Sequence, residues 1–288
     1  MPAARDDIAE DVERRRDALV ELRRYFHQRP ELSFEEAETA REIAERLRAL
    51  GLEPREGVGG HGVVALVRGL APSERPARTL LIRADIDALP IEEAADEEAR
   101  PWRSRNPGVM HACGHDGHTA IALTLAELLV ARRESFHGNA LLVFQPAEER
   151  IGGALAMLAD GVAHHPRVDA TIGLHLWTPV PVGQVSAQAG AVFSSADEIA
   201  LRIYGRGGHG AMPHLAVDPI VVAAEIITAL QTLVSREVSP FNPAVVTFGA
   251  IHGGGAFNVI ADVVELNGTL RAYAAEDREL LRRRIGEV

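Results

Sequence analysis

The chain has 288 residues, 47% of them apolar, which leaves room for two domains with substantial cores. All thirty basic residues are arginine against 41 acids, and no basic run is interleaved with stacking aromatics, so the net charge of −11 argues against a nucleic-acid surface. A single cysteine rules out an internal disulfide and suits the cytoplasm. The charged amino end is unlike a signal peptide, and no apolar run is expected to approach the roughly eighteen residues of a membrane span.

Residues 6–27 read as a charged amphipathic helix, and Pro30 turns the chain into a second helix ending at Leu50-Gly51. Ser33 and Glu36 fit a capping box for that second helix. Short apolar runs from Val63 to Arg68 and from Thr79 to Ala84 predict strands, the latter leading directly into Asp85 and Asp87. The densest cluster follows, Met110-His111-Ala112-Cys113-Gly114-His115-Asp116-Gly117-His118. Helical spacing from Thr119 to Arg133 then predicts a helix whose amino end faces this cluster, with Asp116 and His118 as helix-start residues.

Asn139 to Gln145 predicts a strand delivering Glu148 and Glu149, followed by a helix over roughly 153–160. His164-His165-Pro166 reads as a surface turn, and a strand from Asp169 to Gly173 delivers His175. Alternating strands and helices predict an α/β fold, a doubly wound, mostly parallel sheet in which ligands bind beyond the carboxyl ends of the strands. The texture changes near Val182, where Pro179, Pro181 and Gly183 form a join. Beyond it, strands at Ile199 to Tyr204 and Ala244 to His252, one or two more within Val259 to Tyr273, and helices at Asp218 to Arg236 and from Glu276 suggest a smaller α+β unit in β-α-β-β-α order. The expected domains are 1–183, binding metal, and 184–288.

Cys113 and His115 can turn sulfur and nitrogen toward one divalent ion, with Asp85, Asp87, Glu148, Glu149 and His175 all just past predicted strand ends. A lone histidine or buried cysteine is more often structural, and it is the density of the cluster that favours metal. A cysteine nucleophile activated by a histidine is the rival, ranked lower because carboxylates recur where further ligands would be wanted.

With these residues placed, the chain resembles the di-metal amidohydrolases that include hippurate hydrolase, auxin-amino-acid conjugate hydrolases and N-acyl-amino-acid amidohydrolases, with aminoacylase and carboxypeptidase G more distant. The matching stretches are FHQRPELSFEE, IRADIDALPI, MHACGHDGHTA, VFQPAEE, GLHLW, GRGGHGAMPH and NVIADVVELNGTLRAY, in order along almost the whole chain. The resemblance implies a zinc-peptidase-like domain holding two divalent ions, zinc or manganese with cobalt or nickel as alternatives. Cys113, His115, Glu149 and His175 would be ligands, Glu148 the general base, and Asp87 the orienter of a ligand.

The implied reaction is hydrolysis of the amide bond of an N-acyl amino acid by metal-activated water, with His209 holding the developing oxyanion. Arg271 is the candidate clamp for the substrate carboxylate, and Asn258 a further substrate-binding residue. In the family His209 and Asn258 reach the neighbouring subunit's site, which implies a homodimer through the smaller domain, a small-molecule substrate, and neither nucleic acid nor membrane as partner. Members also return to the catalytic domain with a last histidine ligand. This chain is expected to lack that segment and the smaller domain's last strand, so a metal-binding, dimerising fragment with impaired turnover is the first alternative. A metallo-aminopeptidase or dipeptidase of the same superfamily is the second.

Overall fold

A computed structural model describes residues 2–94, 101–150 and 152–288. The chain divides into two compact units, Met1–Pro181 and Val182–Val288. The first contains α1 (Pro2–His27), α2 (Ala37–Ala49), β1 (Arg55–Val58), β2 (Gly62–Arg68), β3 (Thr79–Asp85), α3 (His115–Ala131), β4 (Asn139–Gln145), α4 (Gly153–Ala159) and β5 (Ala170–Gly173).

Its five strands lie in the order β1-β2-β4-β3-β5. β3 runs parallel to β4 and β5, whereas β2 is antiparallel to β1 and β4. The fold is therefore α/β with a mixed sheet. The antiparallel β1–β2 pair follows from its short connection, in which Gly59 takes φ 67° and a Cβ would meet Met157 N at 2.6 Å.

Successive residues of β2 and β4 point to opposite faces, and both faces are covered, which is why these strands read as continuous apolar runs. Val63, Ala65, Val67, Leu142 and Phe144 pack with Leu22 and Phe26 of α1, Ile43 and Leu47 of α2 and Leu123 of α3. Val64, Leu141 and Val143 pack on the other side with Met157 of α4 and Val162.

The expected capping box is corrected. The α2 backbone donors Glu38 N and Thr39 N are taken by the Glu31 carboxylate at 3.1 and 2.7 Å, while Ser33 and Glu36 turn inward. Ser33 Oγ donates to Asp87 and Glu36 accepts from Ala147 N, so long-range partners outcompete the local cap.

The second unit holds β6 (Asp197–Tyr204), β7 (Gly208–His209), α5 (Pro219–Thr232), β8 (Ala244–Gly253), β9 (Val259–Ile260), β10 (Val263–Ala272) and α6 (Ala275–Glu287). β10 lies between β6 and β8 and is antiparallel to both. Asp218 caps α5 by accepting from Ile220 N at 2.9 Å, with Pro219 at the first helical position. Leu230 and Leu233 pack with Ile199, Val246, Leu270 and Leu281 in this unit's core.

One sequence expectation is overturned here. The helical stretch Pro219–Glu237, 19 residues, meets the length and apolarity of a membrane span. Ala223, Leu230 and Leu233 are buried within the unit, and Ile220, Val221 and Val222 are exposed.

Candidate metal centre

The three parallel strands β3, β4 and β5 lead at their carboxyl ends into Asp85 to Asp87, Pro146 to Glu149 and His175. Gly114, at φ 87°, carries the Cys113 loop into α3, so His115 stands in the first turn of that helix. Ligand atoms of Cys113, His115 and His175 lie within 4.8 Å of one another, and so do those of His115, Glu148 and Glu149. The two groups share His115. Cys113 Sγ is 3.5 Å from His175 Nε2, and His115 Nε2 is 3.8 Å from Glu149 Oε1.

Asp87 sits behind His115. The ring Nδ1–H is shared between the Asp87 backbone carbonyl at 2.9 Å and its carboxylate Oδ1 at 3.2 Å, which leaves the Nε2 lone pair for a cation. Asp87 Oδ2 accepts in turn from Ser33 Oγ at 2.6 Å and from Glu149 N at 3.0 Å, tying the ligand loops together. His115 Nε2 and Glu149 Oε1 are buried with no hydrogen-bond partner among the described residues. Orphaned buried acceptors of this kind are costly unless something else fills the place. A thiol, two imidazoles and carboxylates at this spacing suit a divalent ion of the zinc type, so the residues present fit one.

The electrostatics point the same way. Burial opposes charging the His115 ring, but Asp87, Cys113 and Asp85 outweigh it and push its pKa up to about 11, a measure of the negative charge facing that ring. Burial, reinforced by the Glu148 charge, raises Glu149.

Several contacts around this cluster are not legible in the sequence. Asp116 and His118 do stand at the helix start, yet both are buried and paired. Asp116 Oδ2 meets Arg23 Nε at 2.7 Å and His27 Nδ1 at 2.8 Å, while His118 Nδ1 meets Asp85 Oδ1 at 2.5 Å. Burial raises the Asp85 pKa, but the His118 hydrogen bond and the His115 and Arg83 charges bring it down to about 2. The i, i+3 spacing of His115 and His118, which puts both on one helix face, was the available signal. Glu36 Oε1 accepts from Ala147 N at 2.8 Å and holds the Ala147 turn, φ 48°, just before the acid pair. His111 is buried, and burial pushes it down to about 4.

The remaining candidates belong to the second unit. His209 on β7 pairs with Val259 on β9, and Gly210 N donates to the Asn258 carbonyl at 2.8 Å, so His209 and Asn258 come together. Arg271 is exposed on β10 between buried Leu270 and Ala272, on the strand face turned away from the core.

Residues 81–276 match the model of peptidase family M20/M25/M40. The chain belongs to this family. Among M20 relatives, N-acetyl-L-cysteine deacetylase of Bacillus subtilis is 43% identical over 267 residues, covering 93% of this chain and 62% of its own length. The N-acyl-L-amino acid amidohydrolase of Geobacillus stearothermophilus is 39% identical over 282 residues, covering 98% of this chain and 73% of its own. A solved dinuclear metal binding peptidase of the M20 family from Bacillus subtilis, 35% identical, superposes with a TM-score of 0.73 over 93% of this chain and 67% of that one. The chain thus spans about two thirds of the length of the curated relatives it matches.

Proposed function

We propose that this M20 chain serves the metal-dependent hydrolysis of the amide bond of N-acyl amino acids. The reading is carried by one observation, the gathering of Cys113, His115, His175, Glu148 and Glu149 around a shared His115 whose outward nitrogen has no hydrogen-bond partner among the described residues. Cys113, His115, His175 and Glu149 would hold the ions, two in number as in the dinuclear relative, with zinc or manganese as the first candidates. When bound, such ions polarise the scissile carbonyl and make water acidic enough to attack near neutral pH.

Glu148 takes a proton from the attacking water at its carboxylate and returns it to the leaving amine. Asp87 keeps the His115 ring in one tautomer through the reaction. By the family resemblance, His209 of a second copy would donate to the carbonyl oxygen as it gains charge, with that copy's Asn258 binding substrate beside it, and Arg271 would pair with the free carboxylate through its two guanidinium nitrogens. Similarity to an N-acetyl-L-cysteine deacetylase and to an N-acyl-L-amino acid amidohydrolase supports the substrate class. Exposed Ile220, Val221 and Val222 on α5 and the exposed edge strand β8 support a homodimer through the second unit. A thiol ligand that must stay reduced supports the cytoplasm.

The test is chelation followed by reloading. Hydrolysis of N-acetyl and N-benzoyl amino acids should vanish with chelator and return with zinc or manganese, alongside bound metal by elemental analysis. The Cys113–His175 distance of 3.5 Å keeps a cysteine nucleophile as the second reading. Hydrolysis indifferent to chelation would establish that rival and end the metal proposal.

A further inference from the structure

His118 lies outside the ligand set just proposed, yet it stands at the middle of a chain of hydrogen bonds that runs from buried Asp85 to the exposed Leu176 backbone. His118 is 2% exposed. Although it groups with Asp85 and His115 by distance, both of its nitrogens are already engaged by protein. Leu176 N donates to His118 Nε2 at 2.8 Å, so Nε2 carries no proton. The proton is therefore on Nδ1, which faces Asp85 Oδ1 at 2.5 Å. Asp85 is itself held, by an Arg83 Nη1 contact at 2.8 Å and at the end of β3.

On the far side of Leu176, its carbonyl accepts from His175 Nδ1 at 2.7 Å. That bond selects the tautomer in which His175 Nε2 bears a lone pair, and Nε2 is the atom facing Cys113 Sγ. Packing supports the same placement. The Leu176 side chain lies over the first turn of α3, where a Cβ on Gly117 would stand 2.5 Å from its Cδ1 and one on Gly114 3.4 Å from its Cβ. Strand β5 ends at Gly173, two residues before His175, and the His175 ring also packs against the His118 ring at 4.8 Å between centroids.

We infer that His118 is a positioning residue: it clamps the Leu176 backbone from α3 and thereby fixes His175, two hydrogen bonds away, in the orientation and tautomer of an ion ligand. Asp85 sets the His118 tautomer that can accept from Leu176 N. The role rests on the reading that His175 holds an ion. It is distinct from ligation, because neither His118 nitrogen is available for one.

The test compares His118→Asn with His118→Gln in the full chain. The amide nitrogen of Asn reaches only the Nδ1 position and keeps the Asp85 arm, whereas the amide oxygen of Gln reaches the Nε2 position and can accept from Leu176 N. The readout is the rate at which zinc-loaded protein gives up its ion to a chelating dye. His118→Asn should release zinc roughly 10- to 100-fold faster than wild type, the usual size of an effect from behind a ligand, and His118→Gln should restore slow release. Equal release by wild type and His118→Asn, or no rescue by His118→Gln, overturns the inference.

Nitrogen-15 NMR of ring-labelled, ion-free wild-type protein supplies a measurement that no misfolded variant can spoil. A proton on Nδ1 of His118 and none on Nε2 supports the clamp, and a proton on Nε2 overturns it. If wild type takes up no zinc, the metal reading of the previous section fails, while the NMR result still decides the clamp.

Discussion

The Asp87 carboxylate and the Asp87 backbone carbonyl converge on a single atom of His115, its Nδ1, from 3.2 and 2.9 Å. The same carboxylate receives Ser33 and Glu149 on its other oxygen, so one buried acid orients an imidazole and anchors the backbone of the acid pair.

Asp87→Asn keeps one acceptor but turns an amide N–H₂ toward those donors. Metal affinity, measured by competition with a chelator, is expected to fall roughly 10- to 100-fold. Unchanged affinity would show that His115 is oriented by its own backbone packing.

Glu148→Gln keeps the size of the side chain and removes its basicity. Bound metal, by elemental analysis, should stay at wild-type content while hydrolysis falls roughly 10²- to 10⁴-fold. Retained turnover would remove Glu148 from the proton-transfer role.

The Pro146–Glu149 turn depends on Glu36 and on Gly153. Glu36→Ala leaves Ala147 N–H without its acceptor and should cost about 1–3 kcal/mol in thermal or denaturant unfolding. Burial raises the Glu36 pKa, so its charge opposes folding as pH rises through the folded value; Glu36→Gln, uncharged and still an acceptor, should match or exceed wild type at pH 7. Gly153→Ala would place a Cβ 1.7 Å from the Pro146 carbonyl oxygen, and about 1–3 kcal/mol or more of stability should be lost together with metal binding.

Asp11 on α1 binds Arg132 just past α3, through Nε at 2.8 Å. That hydrogen bond, with help from Arg14, lowers the Asp11 pKa from 3.8 to about 2. A depressed acid stabilises the fold above its unfolded value and loses the effect as pH falls through the folded one. The melting-temperature gap between wild type and Asp11→Asn should therefore be present above pH 4, close toward pH 2, and shrink with added salt, since such surface pairs are screened. A gap independent of pH would assign the effect to packing.

Much of the architecture was legible because its signals are local. Strand β4 runs from Asn139 to Gln145 as its uninterrupted apolar run suggests, and α5 begins after Asp218 where a capping side chain precedes proline. The cluster of Cys113 and His115 before a helix, and of Glu148, Glu149 and His175 past strand ends, was readable from residue type and position alone, because parallel strands deliver their ends to one edge.

What the sequence by itself determined is therefore which donor atoms exist and which elements carry them. The tertiary structure decided which nitrogen of each histidine faces outward, that Glu31 caps α2 while Glu36 serves the Ala147 turn, and that His118 holds Leu176 58 residues away. The physical reason is that a hydrogen bond between buried groups is settled by which partners packing brings within about 3 Å, and no period of 2 or 3.6 along the chain encodes that choice.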